Sequence, residues 1–351
     1  MNRRTFLASS VAGIGGTSIA IHADEPVPRS NLGLLLYSYG FRARRDARKE
    51  FARPANFLSF AHERGANAVQ LALGICDEKD CLAIRRLAEK REMAIEGIVA
   101  PPKDTAIDRD RFNSELKTAQ ACGAIVMRMV MLGGRRYEVF QRAEDYPAFA
   151  KQATTTLKEA EPIAARYKVQ LAVENHKDLR IDELIQLIKT ISSEWVGICL
   201  DTGNNLALLE DPIATVTALA AHTRTVHLKD IAFEEAPEGF RMAEVPLGQG
   251  SLDLALIVKT IRQANPKVRF QLEMITRDPL LIPCLQDKYW ATLERVPGSD
   301  LARTLAMVRK QAVPQPLPRL SKMSPPEQIE IEDRQVRESF RNAAKSKLIA
   351  Y

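Results

Sequence analysis

A chain of 351 residues, 46% hydrophobic and 27% charged, has the composition of a soluble globular protein, long enough for a full core in one large α/β domain or two ordinary ones. This excludes a disordered chain, a collagen and a polytopic membrane protein, and five scattered cysteines exclude a disulfide scaffold. Lys and Arg (50) exceed Asp and Glu (44), but no dense basic run with interleaved aromatics occurs, so the net charge of +6 predicts a solvated surface and no nucleic-acid partner.

Residues 1–23 read as an address. Arg3-Arg4-Thr5-Phe6-Leu7 resembles the twin-arginine export signal, a weakly apolar stretch at 11–21 follows, and the small Ala23 precedes Asp24-Glu25. The stretch is too short to cross a bilayer of about 30 Å, so no stable membrane span is expected after cleavage. The expected location is periplasmic or otherwise extracytoplasmic. Most of the cysteines (Cys76, Cys81, Cys122, Cys199, Cys284) are expected to be buried free thiols, with Cys76 and Cys81 close enough in sequence to pair.

From 30 to 312 one unit recurs: a short apolar or β-branched run, a polar loop, then a helical pattern. Strands are predicted at 32–39, 68–73, 94–100, 124–130, 169–176, 196–201, 225–231 and 268–275. Helices are predicted at 54–65, 78–92, 109–122, 145–167, 182–192, 211–221, 253–264 and 300–312. Alternation of this kind makes parallel βαβ units, and eight of them make a closed (β/α)8 TIM barrel. An open doubly wound sheet would place a Gly-rich phosphate turn after its first strand, and Leu34–Arg42 has none. Residues 276–299 are read as a long loop at the mouth of the barrel. Pro314, Pro316, Pro318, Pro325 and Pro326 make a stiff linker, and 327–348 reads as a charged C-terminal helix. Together 313–351 form an extension, expected to be a solvated accessory. The alternative is that the helix packs on the barrel or on a second copy of the chain in a homo-oligomer.

Strands of a parallel barrel are buried on both faces, so charged groups in them need a reason. The strand period of two points Glu174, Asp201, His227 and Glu273 inward from four successive strands, converging near the C-terminal mouth. Three carboxylates and an imidazole are expected to share a divalent metal, for which these oxygen and nitrogen ligands suit Mn2+, Mg2+, Co2+, Fe2+ or Zn2+. Lys229 and His176 are candidate catalytic groups beside Glu174 and Glu273. Arg128 and Gln70 are inward polar groups expected to line the substrate pocket, with membership of a buried polar network as the alternative for each. Glu96 is expected to join a buried polar network, and Tyr37, Tyr39 and Trp290 are candidates to stack on a sugar ring. Gly248 and Gly250 are read as a tight loop near the substrate.

Glu174-Asn175-His176, Asp201-Thr202-Gly203-Asn204, His227-Leu228-Lys229-Asp230, Pro246-Leu247-Gly248-Gln249-Gly250-Ser251-Leu252-Asp253 and Glu273 together resemble the xylose isomerase-like barrels, and more narrowly their sugar phosphate isomerase/epimerase group. The resemblance implies a metal on Glu174, Asp201, His227 and Glu273, with the two glutamates as an acid/base pair on opposite faces of a sugar or polyol. Ketose epimerases of the group carry a substrate-contacting His where this chain has Asn204, a candidate substrate contact, and an Arg where it has Phe233. Lys229 instead resembles the branch with inositol-ketone dehydratases.

The expected activity is that of an exported, metal-dependent sugar isomerase/epimerase, moving a proton next to a carbonyl by way of a metal-held ene-diolate. The alternatives are a keto-sugar or keto-inositol lyase or dehydratase on the same site, and a non-catalytic carbohydrate-binding protein. An apurinic-site endonuclease needs three zinc ions and many histidines, whereas this chain has only His22, His62, His176, His222 and His227.

Overall fold

In the computed structural model, which describes residues 29–103 and 105–349, the eight predicted strands close on one another. They are β1 (Leu32–Leu35), β2 (Ala68–Leu71), β3 (Ala94–Ile98), β4 (Val126–Met129), β5 (Gln170–Glu174), β6 (Val196–Asp201), β7 (Thr223–Leu228) and, after a hairpin of β8 (Asp230–Ala236) and β9 (Gly239–Val245), β10 (Arg269–Leu272). The parallel barrel runs β1-β10-β7-β6-β5-β4-β3-β2 and back to β1. The export segment expected at 1–23 lies outside the described residues. No helix among the described residues is long and apolar enough to cross a membrane.

The strands are short, apolar and almost wholly buried, and several of the helices between them have starts that the sequence marks. Asp77, Thr105, Asp211 and Asp253 each accept a backbone N–H of the first turn with their side chains, which satisfies groups the helix itself cannot pair. Outward residues such as Leu171, Val173, Ile198, Leu200, Val226, Leu228, Phe270 and Leu272 join the main core between sheet and helices. Inward Val126, Ala172 and Cys199 form a small apolar plug inside the barrel. Closure at the β1–β10 seam needs a glycine: Gly33 pairs with Gln271, and a Cβ there would stand 2.0 Å from Gln271 Oε1.

Two parts differ from the sequence reading. Residues 230–245 form an antiparallel hairpin, joined by β11 (Leu280–Ile282) from the expected loop, in a separate three-stranded sheet. A second apolar cluster underlies it, built from Phe233, Phe240, Ile282, Tyr289 and Val308. The helix Gly298–Gln311 serves this cluster and not the barrel wall. The C-terminal helix Pro325–Lys345 instead packs on the main core with Val336, Phe340 and Ala343. The expectation of a solvated accessory therefore does not hold, because its buried stripe of Glu332, Val336, Ser339, Phe340 and Ala343 has helical spacing. Glu332 accepts the backbone N–H groups of Phe41 (2.6 Å) and Arg42 (3.0 Å), and Asp333 accepts the hydroxyl of Tyr39 at 2.8 Å. The helix thus braces the turn that leaves β1.

Candidate metal and catalytic site

Glu174 ends β5, Asp201 ends β6, His227 lies on β7 and Glu273 follows β10, so all four lie at or near the C-terminal ends of neighbouring barrel strands. The β6–β7 pairing slips by one residue at Ile198/Cys199, and this places Asp201 opposite His227. One ligand atom from each of the four lies within 4.8 Å of every other. All are buried, Glu273 being the most exposed at 5%.

His227 is oriented from beneath. Its Nε2–H donates to Gln70 Oε1 at 2.7 Å; Gln70 in turn donates to Glu96 at 3.0 Å, and Thr225 donates to the same Glu96 oxygen at 2.6 Å. An amide pinned in this way presents its oxygen to the ring. Nδ1 is therefore the nitrogen turned to the site; it faces Glu273 Oε2 at 3.1 Å and Glu174 Oε2 at 3.4 Å, and these carboxylates raise the pKa of the imidazole against its burial. Gln70 belongs to this support and not to a substrate-lining surface, since both ends of its amide are taken within the barrel. Glu96 sits in the buried network expected of it.

The carboxylates are matched by cations of the chain itself. Arg128 Nε contacts Glu174 Oε2, and Asn204 Nδ2 donates to Glu174 Oε1 at 3.1 Å. Burial pushes the Glu174 carboxyl up, but Arg128 and His227 more than offset this and hold it down at about 2. Lys229 Nζ stands 2.8 Å from Asp201 Oδ2, 3.1 Å from Glu273 Oε2 and 3.6 Å from Glu244 Oε1. Against burial, Lys229 and His227 hold Glu273 well below the usual carboxylate range. Asp201 is pushed up to about 7 by burial, only partly opposed by Lys229. Arg128 and Lys229 thus already set two positive charges against the carboxylates.

The donor set nevertheless fits a divalent cation. His227 Nδ1, Asp201 Oδ2 and Glu273 Oε2 are buried and face one another, with the Lys229 ammonium 2.8 Å from Asp201 Oδ2 and 3.1 Å from Glu273 Oε2 as counter-charge, so oxygen and nitrogen donors converge on one point. Asp201 is held by its other oxygen, which accepts from the N–H groups of Gly203 (2.9 Å) and Asn204 (2.8 Å), and this leaves Oδ2 aimed into the site.

Of the remaining candidates, His176 is half-buried beside the site. Burial pushes its imidazole down to about 4, so it is neutral near pH 7, and its Nδ1 makes no hydrogen bond. Asn204 is buried and fully engaged, accepting from Lys229 (3.3 Å) and Lys177 while donating to Glu174. Trp290 is not brought to the four ligands by any of its contacts; its indole donates to the Cys284 carbonyl at 3.0 Å and its ring packs on Tyr289 under the hairpin. Tyr39 likewise packs in the core, and Tyr37 lies under Arg128, 5.7 Å from guanidinium to ring centre. The loop at Gly248 and Gly250 wraps Asp230, whose carboxylate accepts both glycine N–H groups at 2.9 Å. A Cβ at Gly250 would stand 2.2 Å from that carboxylate.

Sequence reasoning missed Lys177, Glu244 and Arg277. Glu244 lies on β9 and pairs with Arg277 at 2.7 Å. The alternation of Phe233, Glu234, Glu235 and Ala236 with Phe240, Arg241, Met242 and Ala243 around a glycine was the hairpin signal that would have located it.

A family model described as xylose isomerase-like TIM barrel matches residues 58–299. The chain belongs to the xylose isomerase-like TIM barrel family. Within reach of this family, a 3-oxo-isoapionate decarboxylase from Pectobacterium atrosepticum is 28% identical over 236 residues, 66% of this chain and 80% of that protein. A putative L-ribulose-5-phosphate 3-epimerase of Escherichia coli is 28% identical over 52% of this chain and 63% of its own length. Among solved structures, a D-psicose 3-epimerase crystallised with D-fructose superposes with a TM-score of 0.57 over 89% of this chain and 98% of that one, at 14% identity, a likeness of fold.

Proposed function

We propose that this member of the family is an exported, divalent-metal-dependent sugar isomerase/epimerase that moves a proton next to a carbonyl. The observation that carries the reading is the convergence of Glu174, Asp201, His227 and Glu273, each with a ligand atom within 4.8 Å of the others, at the mouth of the barrel. A cation on these four groups would polarise a substrate carbonyl and acidify the adjoining C–H. Glu174 and Glu273 lie on either side of His227 and are both held ionised, the state required of a base. One would remove the α-proton, and the other, after taking up a proton from solvent, would deliver it from the opposite face, which inverts the carbon. His176 and Lys229 donate hydrogen bonds to the oxygen that gains charge. The substrate is an unphosphorylated sugar or polyol, as export favours, and the export signal is the twin-arginine pattern of the first 23 residues.

The second reading is a lyase or decarboxylase on the same site. It is favoured by Lys229, whose ammonium reaches both Asp201 and Glu273, and by the decarboxylase relative. Incubation of metal-loaded protein with ketoses, keto-sugars and keto-acids in D2O separates the readings. Deuterium at an α-carbon without elimination is expected; an unsaturated product or released CO2 supports the second reading, and binding without exchange would reduce the protein to a carbohydrate binder. Metal analysis is expected to find near-stoichiometric divalent ion in the wild type and little in His227→Ala. Replacing Gln70 by alanine, which frees the ring to turn, is expected to weaken metal affinity about 10- to 100-fold in a chelator-competition titration. An unchanged affinity would show that the amide does not set the tautomer.

A further inference from the structure

Outside the barrel mouth, the densest group of reactive side chains is a set of three thiols between the helices Glu78–Lys90 and Ala106–Cys122. Sulfur atoms of Cys76, Cys81 and Cys122 lie within 4.8 Å of one another, and Cys76 Sγ and Cys81 Sγ are 2.8 Å apart. The contact follows from helix-cap geometry. Asp77 is the N-cap, its side chain accepting from Asp80 N at 2.8 Å, so Cys76 and Cys81 occupy the positions just before the cap and one turn inside it. In many helices an apolar pair at these two positions packs together and fixes the angle at which the chain enters. Here both members are cysteines. Cys81 and Cys122 are buried, at 2% and 1% exposure, whereas Cys76 is half-buried and offers a route in from solvent.

We propose that Cys76 and Cys81 are a disulfide-forming pair, a covalent staple across this helix start that closes in an oxidising compartment. The co-reactant is a low-molecular-weight or protein disulfide. The Cys76 thiolate attacks one of its sulfurs and expels the first thiol. Cys81, giving up its proton, then attacks Cys76 Sγ and expels the second. Two cysteine thiols and one disulfide thus become one cystine and two thiols, with no net change in protons. A soft metal ion on the three sulfurs is the competing use. It would need all three sulfurs as standing thiolates against burial, which pushes the Cys76 thiol up to about 12 and that of Cys122 upward as well, whereas the exchange passes through one thiolate only transiently. A bridge is neutral and apolar, which suits this setting better than uncompensated negative charge. The staple would fix the turn that follows β2, the strand carrying Gln70, and Cys76 N–H already anchors it to Thr118 Oγ1 at 3.4 Å.

The test is thiol counting and peptide mapping on the full chain, incubated with oxidised glutathione or left reduced, then alkylated. The described residues contain five free cysteines in the reduced form. Oxidation is expected to protect two of them, with loss of two hydrogens in the intact mass. Trypsin cuts after Lys79, between the pair, so the bridge appears as peptides 65–79 and 80–85 held together. Cys122→Ser is expected to leave it in place, and Cys81→Ser to abolish it and leave Cys76 open to alkylation. Full alkylation after oxidation, a bridge through Cys122, or a thiol-bound zinc ion that persists in His227→Ala and shields all three cysteines would each overturn the proposal.

Discussion

Replacing Glu273 by glutamine is expected to slow α-deuterium exchange by about 10²- to 10⁴-fold, the usual contribution of a positioned acid or base, while leaving the protein folded. Glutamine keeps the shape of the side chain but cannot take up a proton. Fold survival follows from the ion pairs. Lys229 keeps Asp201 at 2.8 Å and Glu244 at 3.6 Å when Glu273 loses its charge, so no buried cation is stranded. Glu174→Gln provides the contrast. Arg128, 6% exposed, has its ion pair with Glu174, and the neutral variant leaves a buried guanidinium facing an amide. That variant is expected to lose exchange and, in addition, about 3–5 kcal/mol of stability. Exchange rates in D2O, read beside denaturant midpoints, check both. Wild-type exchange in Glu273→Gln would remove this residue from the proton path.

The second large effect is structural. Phe340→Ala is expected to cost about 3–5 kcal/mol, the range for truncating a buried aromatic. Phe340 is completely buried in the main core, although its helix comes after a Pro-rich stretch and reads as an accessory. Arg334→Ala, on the exposed side of the same helix, is expected to stay within about 0.5 kcal/mol of the wild type. Urea unfolding of the two variants decides the matter: equal midpoints would mean that the helix is dispensable packing.

The fold was legible because its signals are local and repeated. Eight apolar runs alternate with eight helical stretches, and caps such as Asp77 and Asp253 mark where helices begin. The convergence of Glu174, Asp201, His227 and Glu273 was legible for the same reason, since strand period fixes direction. What lies across the site was not. Period two points Gln70 inward but says nothing of depth, so it read as pocket lining when its amide is spent on His227. Arg128 and Lys229 read as neighbours of the chemistry, yet they balance the carboxylates directly. The assignment of outer helices failed because amphipathicity shows that a helix buries one face without showing what it buries against. Gly298–Gln311 and Pro325–Lys345 both have such faces, and only three-dimensional contacts reveal that the first covers the hairpin and the second the barrel.

That exchange of partners bears on how the molecule is made. In a simple (β/α)8 chain the wall helix over the closing seam follows its last strand at once. Here the segment from Glu273 to Ser324 is synthesised in between, so a nascent chain carries all eight strands while the gap beside β1 stays uncovered. Sealing that gap waits for the helix Pro325–Lys345. Deleting 325–345 would uncover that gap without removing Glu174, Asp201, His227 or Glu273.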